Sequence, residues 1–369
     1  MKDFFQRFRR ITYSTSYLPE IDGLRFLAIF SVVVILHITH YMDEKFYGNA
    51  LVPDGYWKNF VMEGGSGVAL FFVISGFILS LPFARWRLQN GEPVKLKNYF
   101  LRRLTRLEPP YIIALLLLFI GHVWVLKQFS FSELFPHLLA SLVYLHYFIY
   151  DYIPLVLPVA WSLEVEVQFY ILGPVFFLVF LIRSRWLRWS LQLFVILVSS
   201  VYWYGHWGEV HLLVYLHHFL IGILLADFYT CGVSLFRNKT LAAVTGIISL
   251  LGFLFVPTIH SAPGTAIKMI CMFLLVHSVL VNGMMKKIFT LNAFVIIGGM
   301  CYSFYLLHYA IVSAVGYVIL RAGNQYPPSY SLLIGILMVL CVLLISSLYF
   351  LWVEKPFMKK IGLERFKKV

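Results

Sequence analysis

Charge is scarce in this chain. Asp, Glu, Lys and Arg together make up 13% of its 369 residues, against 60% hydrophobic residues. With a mean hydropathy of +0.82, this composition excludes a water-soluble globular domain and marks a polytopic membrane protein. Acidic residues are scarcest, 17 against 30 basic, which gives a formal net charge of +13. Cysteine is rare too. Cys231, Cys271, Cys301 and Cys341 have no paired spacing, which excludes a disulfide framework or thiolate metal site and leaves them as packing residues. Period-2 alternation is missing from the apolar runs, so an outer-membrane barrel is excluded. The first run lacks a small-residue cleavage site and is expected to stay as an uncleaved anchor. No repeat, linker or second domain is visible, so residues 1–369 read as one membrane unit with no appended soluble domain.

What is present is a series of apolar runs, each about as long as a ~30 Å hydrocarbon core requires at 1.5 Å per residue. The runs predict an all-α fold of about ten transmembrane helices. These fall at about 24–41, 62–83, from Pro109-Pro110 to about 126, 166–183, 189–204, 211–229, 241–257, 265–281, 295–319 and 331–353. Pro109-Pro110 is a natural helix start, where a missing N–H costs nothing. Residues 134–149 are too short to span and are broken by Pro154 and Pro158, so a re-entrant or interfacial helix is expected there. With both termini in the cytoplasm, all 30 Lys and Arg but Lys45, Lys58, Lys127, Lys268 and Arg321 lie on the inner side. That bias fixes the orientation and explains the basic charge without nucleic acid.

The organising stretch is Tyr17–His40. A polar, turn-forming segment, Pro19-Glu20-Ile21-Asp22-Gly23, precedes a run in which only Arg25 and Ser31 are polar between Leu24 and Leu36. His37 follows, deep in a membrane helix. An intramembrane titratable group is a functional candidate; the plainer alternative is a histidine bonded to a neighbouring helix or snorkelling outward.

Five stretches, taken in order, resemble the membrane acyltransferase-3 family. They are DGLRFLAIFSVVVILH at 22–37, GVALFFVISGF at 67–77, YFLRRLTRLEPPY at 99–111, WSLEVEVQFY at 161–170, and GGMCYSFYLLHYAI at 298–311 followed by Glu354-Lys355-Pro356. The resemblance implies an O-acyltransferase of the bacterial inner membrane that needs no metal. It would move an acyl group, often acetyl, from cytoplasmic acyl-CoA to a hydroxyl of an extracytoplasmic or lipid-linked glycan. Ten spans with interior charges would equally serve a transporter or flippase of an anionic or glycan-lipid substrate, although no inverted repeat is visible. A scaffold would tolerate loss of His37.

Acyl transfer needs a base or acyl carrier, a grip on an anionic donor and stabilisation of an oxyanion. His37 suits the first role, as base or as transient carrier, and the family pattern adds Arg25. That pattern puts ten residues between arginine and histidine, whereas eleven separate Arg25 from His37. At 100° per residue the offset grows from about 20° to about 120°. A π-bulge would absorb the difference; otherwise Arg25 precedes the regular helix, or the pair no longer shares a face. His40, three residues on, is a stand-in.

Arg102, Arg103 and Arg106 would cluster on a helix, where guanidinium forks suit the phosphates of CoA or, on the alternative reading, anchor to lipid head groups. Glu166, expected at the outer mouth of its span, could orient a histidine or bind acceptor hydroxyls, and Glu164 would face away from it. The substrate path is expected to include Ser75, Trp161, Ser162, Gln168, Tyr170, Ser303, Tyr305 and His308. Gly67 and Gly76 read as packing positions, and Ala69 stands where the family usually has an acid. Glu354-Lys355-Pro356 is expected to end the last helix, and His206, His211, His217 and His218 to lie at the interface.

Overall fold

The structure, a computed structural model, describes residues 7–11, 17–206, 208–258, 261–281, 283–321 and 326–358. Among them there is no β-strand. The helices are α1 (Pro19–Phe46), α2 (Tyr56–Leu88), α3 (Leu96–Val125), α4 (Phe131–Leu142), α5 (His146–Tyr150), α6 (Pro158–Leu181), α7 (Arg185–Gly205), α8 (Leu212–Thr230), α9 (Lys239–Phe255), α10 (Ala262–Leu280), α11 (Met284–Phe289), α12 (Asn292–Gly299), α13 (Cys301–Arg321) and α14 (Pro328–Met358). Eight of these are long and apolar enough to cross a bilayer: α1, α2, α3, α6, α8, α10, α13 and α14. The other two expected spans are α7, 21 residues but more polar, and α9, only 17 residues.

α1 begins earlier than its polar residues suggest. Pro19-Glu20-Ile21-Asp22-Gly23 is not a turn but the start of the helix. Proline at the first position and acids near the helix N-terminus both favour that. Burial of Glu20 and Asp22 is offset by partners, Lys286 lying 2.8 Å from Glu20. α3 likewise starts at Leu96 and runs through Pro109-Pro110 instead of beginning there. Two missing N–H groups leave the Thr105 and Arg106 carbonyls without their usual partners. Packing carries the helix past them: Pro110, Tyr111, Ala114 and Leu115 are buried, and the hydroxyls of Tyr302 and Tyr349 donate to the Leu107 and Pro110 carbonyls. The expected span at 295–319 is broken at Met300, between α12 and α13.

α4 and α5 occupy the stretch expected to be re-entrant or interfacial. At 12 residues α4 reaches about 18 Å, too short to cross. α5 is held by Glu164, whose carboxylate accepts the N–H groups of His146 and Tyr147 at 3.2 and 3.0 Å.

Small residues bring the long helices together. A Cβ on Gly76 would strike the Phe219 carbonyl of α8, and one on Gly67 the Ala28 carbonyl of α1. Two buried ion pairs brace the bundle. Lys268, expected outside or near the outer end of its span, is buried 2.5 Å from buried Glu63. Arg188 forks onto Asp227. His217 and His218 are also buried inside α8, not interfacial. Glu354 does not end a helix: it is fully buried in α14, which continues to Met358.

Candidate active site

α1, α2, α3, α6 and α13 enclose a cavity of about 670 Å³. Six arginines line it: Arg25 from α1, Arg85 from α2, Arg102, Arg103 and Arg106 from α3, and Arg10 from the segment before α1. Asp22, fully buried, organises two of them. It accepts from Arg25 at 2.7 Å and from the Tyr17 hydroxyl at 2.8 Å, and pairs with Arg10 at 3.1 Å. Burial, partly offset by Asp22, brings Arg10 down to about 10, so this guanidinium stays charged at neutral pH. Arg103 donates to the Tyr99 carbonyl at 2.7 Å and lies 3.9 Å from that ring. The Nε atoms of Arg103 and Arg106 are buried without a hydrogen-bond partner, an arrangement with donor capacity left for an anion.

The acid and hydroxyl groups come chiefly from α6. Ser162, Glu166 and Tyr170 recur every four residues, which puts them on one face, and all three line the cavity. Glu166 therefore faces the interior and not an outer mouth. Its Oε1 accepts from the Ser75 hydroxyl at 2.5 Å. The Tyr305 hydroxyl donates to the Val159 carbonyl at 2.7 Å, so the 2.6 Å contact with Ser162 is a bond that Ser162 donates.

His37 sits in a π-helical stretch, Ser31–Ile38. A wide turn holds one more residue than an α turn, so the extra residue between Arg25 and His37 falls in a stretch that can absorb it. The Nδ1 of His37 lies 2.9 Å from Nε2 of His308, while Nδ1 of His308 approaches the carbonyls of Phe304 and Tyr305 at 3.0 and 2.8 Å. His37 is not itself part of the cavity wall. Tyr305 is, and its ring is 5.7 Å from that of His308. His40 points elsewhere, 3.7 Å from exposed Glu44.

Four expected path residues do not line the cavity: His308, which meets His37 behind Tyr305, and three others. Trp161 packs 5.4 Å from the Tyr215 ring, Gln168 accepts the Leu212 N–H at 2.8 Å where α8 begins, and Ser303 donates to Glu354 at 2.6 Å. Arg10, Tyr17, Asp22, Arg85 and Cys301 belong to the cavity region without having been singled out. For Asp22 there was a signal, its i, i+3 spacing to Arg25.

The model of an acyltransferase domain, that of the acyltransferase-3 family, matches residues 18–347. Relatives include the peptidoglycan O-acetyltransferase OatA of Listeria monocytogenes, 25% identical over 97% of this chain, and the O-acetyltransferase OatA of Staphylococcus aureus, 25% identical over 96%. The chain spans 58% and 59% of the lengths of these relatives. No solved structure matches it. A family model covering this much of an apolar helix bundle is decisive: the chain is an integral membrane protein and belongs to the acyltransferase-3 family.

Proposed function

We propose that this protein is a membrane O-acetyltransferase that takes acetyl from acetyl-CoA and esterifies a hydroxyl of a cell-envelope glycan, peptidoglycan being the acceptor that its relatives suggest. The observation that carries the reading is one cavity lined by six arginines together with Glu166, Ser75, Ser162 and Tyr305. A polyanionic donor with a small uncharged reacting end fits such a lining. Phosphates would be gripped by Arg103 and Arg106 with Arg102 beside them, and the thioester would extend toward Ser162 and Tyr305, next to the His308–His37 pair. Arg25, fixed by Asp22, is placed to face negative charge that develops on the acyl oxygen.

In the transfer, His37 takes the proton of the acceptor hydroxyl while its oxygen attacks the thioester carbon. The C–O bond forms, the C–S bond breaks, and the CoA thiolate regains the proton. The charge bias of the sequence supports donor entry from the cytoplasmic side of a bacterial inner membrane, with the acceptor approaching from the outer side.

The test uses membranes containing wild-type or His37→Ala protein at equal level, supplied with labelled acetyl-CoA. Base-labile label in envelope glycan that disappears in the variant is the expected result. Transfer that survives the substitution would remove His37 from the chemistry, and no transfer by wild type from any acyl-CoA would overturn the reading.

A further inference from the structure

Two facing histidines can share one hydrogen in either direction, and here the surroundings choose. His308 is fully buried, and its Nδ1 approaches two backbone carbonyls, those of Phe304 and Tyr305. A carbonyl only accepts, so Nδ1 of His308 carries the hydrogen. Among the described residues no carboxylate is bonded to either ring, and an unpaired buried imidazolium is strongly disfavoured. The ring of His308 is therefore neutral and its Nε2 presents a lone pair. The 2.9 Å contact is then a bond from His37 Nδ1–H to that lone pair. His37 is left with its own lone pair on Nε2, on a residue that is only partly buried.

We infer that His308 is a positioning residue, which fixes His37 in the one tautomer whose Nε2 can take a proton from the acceptor. The inference rests on the proposed transfer with His37 as base. In that step the acceptor O–H bond breaks and its proton joins His37 Nε2, while the ester C–O bond replaces the thioester C–S bond. The imidazolium keeps its Nδ1–H on His308 and returns the Nε2 proton to the departing thiolate. The π turn belongs to the same device, because it sets the phase at which His37 meets α13.

A filler role for His308 and a tautomer-setting role are separable. The experiment uses the full chain in membranes with 15N-labelled histidine rings, the signals of the two residues among 12 histidines being assigned from His37→Gln and His308→Gln samples. At neutral pH both rings are expected to show protonated Nδ1 and bare Nε2. A protonated Nε2 on His37, or an imidazolium at either position, overturns the inference even if transfer is intact. Kinetics give the second arm. His308→Leu, which cannot accept, is expected to lose about 100-fold in kcat with the donor KM unchanged, within the span seen for lost supporting partners and lost general bases. His308→Gln, whose amide oxygen can accept, is expected to recover to within about tenfold of wild type. Unchanged kcat in His308→Leu refutes the role. If that variant fails to insert, the ring signals of the wild type decide. Wild-type protein with the expected tautomers but no acetyl transfer would sink the proposed function instead.

Discussion

Replacing Asp22 by Asn is a near-isosteric change whose cost follows from the donors around it. One carboxylate oxygen accepts from Arg25; the other faces both Arg10 and the Tyr17 hydroxyl. The amide retains one acceptor but turns an N–H₂ group toward donors, so two contacts are lost and two guanidinium groups lose their counter-charge. A charge-assisted hydrogen bond contributes about 1.5–3 kcal/mol, and breaking a buried pair by removing one partner costs about 3–5 kcal/mol. Some water reaches the arginines, whose side chains are 14% and 15% exposed, so about 3 kcal/mol is the expected loss. The assay is unfolding of detergent-purified protein followed by tryptophan fluorescence, with and without CoA. Because the freed arginines line the cavity, CoA is expected to restore more stability to the variant than to wild type, by linkage of binding to folding. A loss below about 1 kcal/mol, the scale of a solvated surface pair, would refute the view of Asp22 as organiser of the basic wall.

Other outcomes follow from single contacts. Arg106→Ala is expected to raise the KM for acetyl-CoA about 10–100-fold with little change in kcat, the signature of lost uniform binding; a fall in kcat at constant KM would place Arg106 in the chemistry instead. Gly76→Ala puts a methyl group against the Phe219 backbone carbonyl and is expected to destabilise α2–α8 packing by about 1–3 kcal/mol in the same unfolding assay. His146, outside the membrane spans, has its pKa pushed down to about 4, first by burial and then by His137. Since the unfolded value is near 6.5, the unfolded chain binds the proton first as pH falls. Stability is therefore full above about 6.5 and declines as the pH drops toward 4. Melting temperatures across that range test it, and His146→Gln is expected to flatten the dependence.

The long helices were legible in the sequence because length and apolarity report membrane crossing without any knowledge of partners. Their ends were not. Pro19, Asp22 and Gly23 are all turn formers, and the burial of Asp22 within a helix rests on ion pairs that the sequence does not display. Arg85 reads as a positive-inside anchor, yet a residue at the membrane edge looks the same in sequence whichever way it faces. His37 stood out as a titratable group in an apolar run. Its pairing with His308, 271 residues away, depends on how α1 and α13 cross. The same holds for the pairing of Glu63 with Lys268, 205 residues away, which depends on how α2 and α10 pack. Within the block at 161–170 the site members are those on the Glu166 face; Gln168, two residues on, is turned away and secures α8 instead.

The wide turn at Ser31–Ile38 also bears on how chains of this family are to be aligned. An inserted residue in the middle of a membrane helix is usually thought to rotate everything beyond it. Here the extra residue falls in the π-helical stretch Ser31–Ile38, and the histidine in it meets His308 of α13. Conversely, deleting one residue between Val32 and Leu36 is expected to restore ordinary pitch while leaving that contact intact. A template that demands a fixed count between arginine and histidine will thus discard chains whose three-dimensional arrangement is unaltered. Angular phase on the helix, rather than the count, is the quantity such a template has to match.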